Sequence, residues 1–248
     1  MQSNVPPNVP PNVPSNVPFL GVLRWEEGGS PKGLEQLESL VGNSTNPATY
    51  PFPVVFRRVR GANYHSVVQA PHIGLLDAMV SEGEKMVELG VRAIITSCGF
   101  NAIFQRELAK ALPVPVFTSA LLQIPFILAS IGGKKLAIIT ASKSTLREEH
   151  FRAVGVQDMR GIEIYGMEVL PEWSKISRFP NQPLTMEKVE NEVVSLATLA
   201  KQEHPDLGAI LLECTDLPPF ARAVRKAVNL QVYDLLSMVA LIRTSFST

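Results

Sequence analysis

The chain has 248 residues, 46% of them hydrophobic and 19% charged, which is enough for one large domain or two smaller ones with full cores. Lys plus Arg number 23 and so do Asp plus Glu, so the charge balance excludes a strongly basic nucleic-acid binder and a polybasic membrane-surface protein. No apolar run reaches the roughly 18 residues that a transmembrane helix needs, and the start lacks a basic-then-apolar leader pattern, so no membrane partner is expected and the expected location is cytoplasmic.

Residues 1–18 repeat Asn-Val-Pro with a period of four, from Asn4-Val5-Pro6-Pro7 to Asn16-Val17-Pro18. Proline fixes φ and removes backbone donors, so this segment reads as a disordered tail without a core of its own. The folded part starts at Phe19. Apolar runs predict strands over residues 19–23, 52–59, 91–96, 114–117, 135–140, 162–165, 207–212 and 230–233. Helical spacing predicts helices over 34–41, 73–89, 102–112, 121–131, 145–154, 186–203, 218–228 and 235–245, with 173–183 as an irregular connection. Gly90 and the Gly132-Gly133 pair read as helix stops.

Strands alternate with helices throughout, and the strands are continuous apolar runs. That combination predicts parallel sheets covered on both faces, an α/β chain of two similar lobes with the active site in the cleft between them. The expected division is 19–118 plus 229–248 for a first lobe and 119–228 for a second. Ligands of open α/β sheets bind outside the carboxyl ends of the strands.

The only two cysteines fall at such ends, in Thr96-Ser97-Cys98-Gly99-Phe100-Asn101 and in Leu212-Glu213-Cys214-Thr215-Asp216-Leu217-Pro218-Pro219. Each follows an apolar strand and precedes a predicted helix, whose dipole favours a thiolate. Their matching positions point to one shared site. Two more strand ends carry hydroxyls, Thr118-Ser119 and Thr140 with Ser142, Ser144 and Thr145, and Thr215 adds one beside Cys214. His65, His72, His150 and His204 show no ligand spacing, so no metal site is expected. His150 and His204 read as surface residues, and His72 as one that reaches a site loop only in a minority reading. The Gly28–Gly33 loop fits neither phosphate-binding glycine pattern.

With its two α/β halves, its Thr-Ser-Cys-Gly loop and its Leu-Glu-Cys-Thr-Asp-Leu-Pro-Pro loop, the chain resembles the aspartate/glutamate/hydantoin racemase superfamily over about residues 19–245. The resemblance implies a cofactor-independent isomerase, a racemase or epimerase of an amino acid or related small carboxylate, with Cys98 and Cys214 as the two proton-transferring groups. Ser97, Gly99, Asn101, Thr118, Thr140, Ser142, Ser144, Thr215 and Arg24 are then the expected substrate-binding residues. It implies neither metal nor pyridoxal phosphate, and a homodimer. Maleate-isomerase-like and arylmalonate-decarboxylase-like reactions are the alternatives within the superfamily, and a non-catalytic two-lobed binder is the alternative outside it. The chain departs from glutamate racemase at three points. Gly99-Phe100 follows the first cysteine, Asp216 replaces a histidine after the second, and Arg24-Trp25-Glu26-Glu27 replaces an Asp-Ser pair. With Glu213 and Asp216 beside it, Cys214 reads as the thiol and Cys98 as the thiolate.

Overall fold

The computed structural model describes residues 17–26, 31–71 and 74–246. The Asn-Val-Pro repeat through residue 16, most of the glycine-rich loop and His72 lie outside the described residues. Two four-stranded parallel sheets form the frame. In the first, β1 (Leu20–Arg24), β2 (Val54–Arg58), β3 (Ala93–Thr96) and β4 (Val116–Phe117) run in the order β2-β1-β3-β4. In the second, β5 (Lys135–Thr140), β6 (Ile162–Gly166), β7 (Leu207–Leu212) and β8 (Gln231–Tyr233) run in the order β6-β5-β7-β8. The two sheets thus repeat one topology, as the alternating pattern predicts.

The helices are α1 (Lys32–Glu38), α2 (Leu75–Glu88), α3 (Gln105–Ala111), α4 (Ile124–Ser130), α5 (Glu148–Ala153), α6 (Lys175–Arg178), α7 (Met186–Glu203), α8 (Ala221–Val228) and α9 (Leu235–Ser245). α6 occupies the stretch expected to be irregular. Short 3-10 turns at Gly99–Phe104, Ala120–Gln123 and Pro218–Phe220 precede α3, α4 and α8 where unbroken helices were predicted. α2 is followed by Gly90 at φ 89°, the left-handed position that glycine takes without steric cost. α9 starts with a reciprocal cap: Ser237 N–H donates to Asp234 Oδ1 at 2.7 Å, and Asp234 N–H donates to Ser237 Oγ at 2.9 Å.

Side chains of the second sheet alternate between two cores, as a pleated strand requires. Ala137, Ile139, Ile210 and Leu212 face a cluster with Val189, Val193, Leu196 and Ala197 of α7 and Val224 and Val228 of α8. Leu136, Ile138, Ala209 and Leu211 belong to a second cluster, which continues into the first lobe through Phe100, Leu121 and Ile124. Burying each such aliphatic side chain contributes on the order of 1.5–3 kcal/mol.

Two segments tie the lobes together. α1 belongs to the first half of the chain, yet Leu37 packs with Trp173, Ile176 and Leu184 of the second. Gln36 fastens the contact, donating to the Leu184 carbonyl at 3.2 Å and accepting from the Leu184 N–H at 2.6 Å. At the other end of the chain, residues 229–248 were expected to join the first lobe as one piece. β8 pairs with β7 in the second sheet, and only α9 packs with the first lobe's core. Among the described residues no helix is long and apolar enough to cross a membrane.

Ile138 is fully buried at the centre of the continuous core. Ile138→Ala is expected to destabilise the fold by about 2–5 kcal/mol, read from the shift of the urea unfolding midpoint at unchanged slope.

Candidate active site

In each sheet the strand order reverses between its two central strands, β1/β3 and β5/β7, which is where α/β sheets open a ligand crevice. The four loops leaving these strands converge. Trp25 follows β1, Ser97-Cys98-Gly99 follows β3, Ala141-Ser142 follows β5 and Cys214-Thr215-Asp216 follows β7 shortly after Glu213. All line one cavity of about 580 Å³. The rest of its wall comes from α1 (Leu34, Glu38), from Tyr64 and the π-helical turn His65–Gln69, and from Glu168, Trp173 and Ile176.

Hydrogen bonds fix the two cysteine loops against each other. Thr215 Oγ1 donates to the Ser97 carbonyl at 2.6 Å, across the lobe boundary. Ser97 N–H donates to Leu23 O at 2.9 Å, and Glu213 N–H to Ile139 O at 2.8 Å, so each loop also continues its sheet's ladder. Thr96 Oγ1 donates to Thr118 O at 2.6 Å and to Cys98 O at 3.0 Å, setting the turn that presents Cys98.

Cys214 has a base beside it. Its thiol donates to Asp216 Oδ2 at 3.7 Å, and Asp216 Oδ1 accepts from Asn43 Nδ2 at 2.7 Å. Asn43 is itself buried and held, its Oδ1 accepting from the Thr45 N–H at 2.9 Å and the Thr45 hydroxyl at 2.8 Å. A thiol, a carboxylate and an orienting amide in line form the arrangement that activates a sulfur. Cys98 is partly open to the cavity and has no such carboxylate hydrogen bond among those of the described residues.

Electrostatics reverse the expectation of resting thiolates. Burial pushes the Cys98 thiol up, and the Glu213 carboxyl pushes it further. Burial, then Asp216 and Glu213, do the same at Cys214. Backbone N–H groups of Phe100 and Asp216 act on the respective sulfurs in the opposite direction, but as smaller contributions. The turns after both cysteines are short 3-10 segments, so little dipole opposes the burial. Burial also raises the carboxyls, Asp216 to about 6 and Glu213 to about 7.

Of the expected binding residues, Ser97, Gly99, Ser142 and Thr215 line the cavity with the two cysteines. The others stand behind it. Asn101 N–H donates to Cys98 O at 3.1 Å, Thr118 Oγ1 to Gln105 at 2.8 Å and Thr140 Oγ1 to Glu213 Oε2 at 2.8 Å. Ser144 Oγ lies 3.1 Å from Ser142 Oγ, and Arg24 pairs with Glu38 at 2.9 Å. Sequence reading missed Asn43, Tyr64, Glu168 and Trp173, which come from turns and connections without a chemical motif, and Glu38 at the end of α1. His150, expected at the surface, is fully buried with its ring edge-on to Phe100 at 5.2 Å, and burial lowers its pKa. His204 is also mostly covered, with Nε2 3.7 Å from Glu163. Among the described residues no group of three or more His, Cys, Asp and Glu side chains is placed to hold a metal ion.

The sequence profile of the Asp/Glu/Hydantoin racemase family matches residues 60–242. A dimethylsulfoniopropionate lyase of Durusdinium sp. clade D is 33% identical over 218 residues, covering 79% of this chain and 67% of that protein. Dimethylsulfoniopropionate lyase 5 of Emiliania huxleyi is 24% identical over 208 residues, and there the match covers 75% of this chain but only 41% of the relative's length. In fold, the allantoin racemase of Klebsiella pneumoniae superposes with a TM-score of 0.61 at 14% identity, over 92% of this chain and 86% of that one.

The buried carboxyl of Asp216 makes stability depend on pH. In the folded chain it keeps its proton up to about 6, whereas an ordinary aspartate ionises near 3.8. The folded state therefore binds more protons between these values. The contribution is fully present below about 4 and is lost as pH rises through about 6. Wild-type unfolding free energy is expected to fall by ~2 kcal/mol across this window from Asp216, and Asp216→Asn to remove that part of the slope in urea unfolding series at successive pH values.

Proposed function

Because the chain belongs to the Asp/Glu/hydantoin racemase family, we propose that it is an enzyme that uses a cysteine to take the proton beside a substrate carboxylate, and that its reaction is β-elimination from a sulfonio carboxylate of the dimethylsulfoniopropionate type. The observation that carries this reading is the composition of the cavity wall. Beside both cysteines it presents three carboxyl side chains (Glu38, Glu168, Asp216), four aromatic rings (Trp25, Tyr64, Phe100, Trp173) and, among the described residues, no lysine or arginine. The second carboxylate of an aspartate or glutamate would meet like charge there. A sulfonium would be attracted by the carboxyls and by the ring faces. The Ser142 hydroxyl and the backbone at the Gly99–Phe104 turn suit the substrate's carboxylate end.

In the proposed step Asp216 takes the thiol proton of Cys214, and the resulting thiolate removes the proton from the carbon next to the carboxylate. The C–H electron pair becomes the new carbon–carbon π bond, the C–S bond breaks with its pair left on sulfur, and dimethyl sulfide and acrylate depart. No oxidant or reductant is required. Cys98 stays a thiol and donates to the carboxylate as charge builds on it, which is electrostatic stabilisation of the transition state. This assignment reverses the one read from the sequence, because Asp216 is a proton acceptor for Cys214 and not only a neighbouring charge. Racemisation is the second reading, favoured by two cysteines opening on one cavity. There Cys98 would return a proton to the opposite face.

Incubation with dimethylsulfoniopropionate is expected to release dimethyl sulfide and acrylate, with Cys214→Ser and Cys98→Ser each lowering the rate by about 10²–10⁴-fold. 3-(Trimethylammonio)propionate is expected to inhibit, and the neutral isostere 4,4-dimethylpentanoate to do so at least about tenfold more weakly. No sulfide release, together with loss of optical activity from an amino acid or allantoin, would replace elimination by racemisation.

A further inference from the structure

Glu213 is fully buried and does not line the cavity, so it does not reach a substrate. It nevertheless stands where the two cysteine loops meet. It directly precedes Cys214, and its side chain reaches across to the loop of Cys98. Oε2 accepts from the Thr140 hydroxyl at 2.8 Å. Oε1 is buried without a hydrogen-bond partner and lies against Gly99, so closely that a methyl group on Gly99 would collide with it. The same methyl would lie 2.8 Å from the Glu213 carbonyl oxygen. A buried carboxyl oxygen left unpaired is costly, and a residue with a shorter or apolar side chain would avoid the cost. Its charge bears on both sulfurs, but at Cys214 it ranks behind Asp216, whereas at the sulfur next to Gly99 it is the foremost charge.

We propose that Glu213 is a positioning residue that keeps Cys98 in the thiol form, so that two chemically identical cysteines in one cavity take different roles, Cys214 as base and Cys98 as hydrogen donor. Four groups on the packed elements bear on it. Its own loop presents Asp216 and Cys214, the β3 loop presents Cys98, and the end of β5 presents the Thr140 hydroxyl, which favours its ionised form. When Glu213 is ionised, its charge is the foremost electrostatic influence raising the Cys98 thiol. When it is protonated, that influence disappears, and burial remains with the smaller effects of the Phe100 N–H and of Asp216. The carboxyl changes state near pH 7, so its hold on Cys98 is strongest on the alkaline side. The role of Asp216 toward Cys214 is the opposite one, because there the carboxylate accepts the thiol proton directly. The proposal takes the division of labour from the reading above, but the effect of Glu213 on Cys98 holds whichever reaction the site performs.

The test is the pH profile of Cys98 modification in full-length Cys214→Ala protein, where Cys98 is the sole cysteine. Methyl methanethiosulfonate, a small reagent that enters a cavity of this size, is the probe. With Glu213→Gln added, modification is expected to be about tenfold faster at pH 9 and unchanged within about twofold at pH 5.5, where the carboxyl is neutral in both proteins. A merely structural role would shift the rate by the same factor at every pH. Equal rates for both proteins at pH 9, or a uniform shift, would overturn the proposal. Thr140→Val provides a second arm should Glu213→Gln fail to fold. It removes the donor to Oε2, so the bend in the Cys98 profile is expected to move to higher pH, and an unmoved bend would equally overturn it. Absence of elimination activity in the wild-type protein, with the Cys98 profile difference intact, would count against the β-elimination reading and leave this one standing.

Discussion

The site depends on how closely two loops from different sheets approach each other. Gly99 lies flat on the Glu213 carboxyl, and the Thr215 hydroxyl reaches the Ser97 carbonyl at 2.6 Å. Any side chain at position 99 would force these loops apart. With them in place, residues from the ends of β3 and β7 lie on a single cavity, and the loops after β1 and β5 close its sides. The repeated strand order makes this possible, because the same reversal point occurs in each sheet and the two reversal points face each other.

That approach has an electrostatic cost. It buries two carboxyls, Glu213 and Asp216, within reach of two thiols, and burial drives all four toward their neutral forms. A protein selected for stability alone would place apolar residues here, since buried ionisable groups rarely repay their desolvation. The interior of the second lobe offsets the cost. α7 and α8 cover one face of β5 and β7 with aliphatic side chains that are almost entirely buried, and the other face merges with the core of the first lobe. The densely packed part of the fold is thus next to the buried ionisable groups, which must hold their geometry during proton transfer.

Much of the frame was legible in the sequence. β5, β7, α7 and α9 have the bounds that their apolar runs and helical periods predict, because long, strongly patterned segments specify themselves locally. The cysteines and the loops around them were legible too, since a strand followed by Cys and a turn residue is a local pattern. The 3-10 turns ahead of α3, α4 and α8 were not, because a helical period does not distinguish a tight first turn from an α-helical one. Glu38 and Trp173 reach the cavity, and Asn43 reaches Asp216 behind its wall, only through tertiary packing. The burial of His150 follows from Phe100 packing against it, a contact between residues fifty positions apart. Arg24, Thr118, Thr140 and Ser144 sit at the right strand ends, but a hydroxyl or a charge at a strand end can as well brace a neighbour as meet a ligand.

The return of α9 to the first lobe has a consequence for how the chain is made. Phe19 opens the first strand region, and its ring meets Phe246 at 5.5 Å while the Arg243 guanidinium lies over it at 4.5 Å. Met238, Val239 and Ile242 complete the same cluster. During synthesis these residues emerge only after the whole second lobe has been translated, so the first lobe waits with part of its apolar surface uncovered while the second, whose covering segment α1 has already emerged, can close. The order of emergence and the order of completion are therefore inverted. The interval between them, when β1 and β2 lack their last covering helix, is when the nascent protein most needs protection from association with other chains.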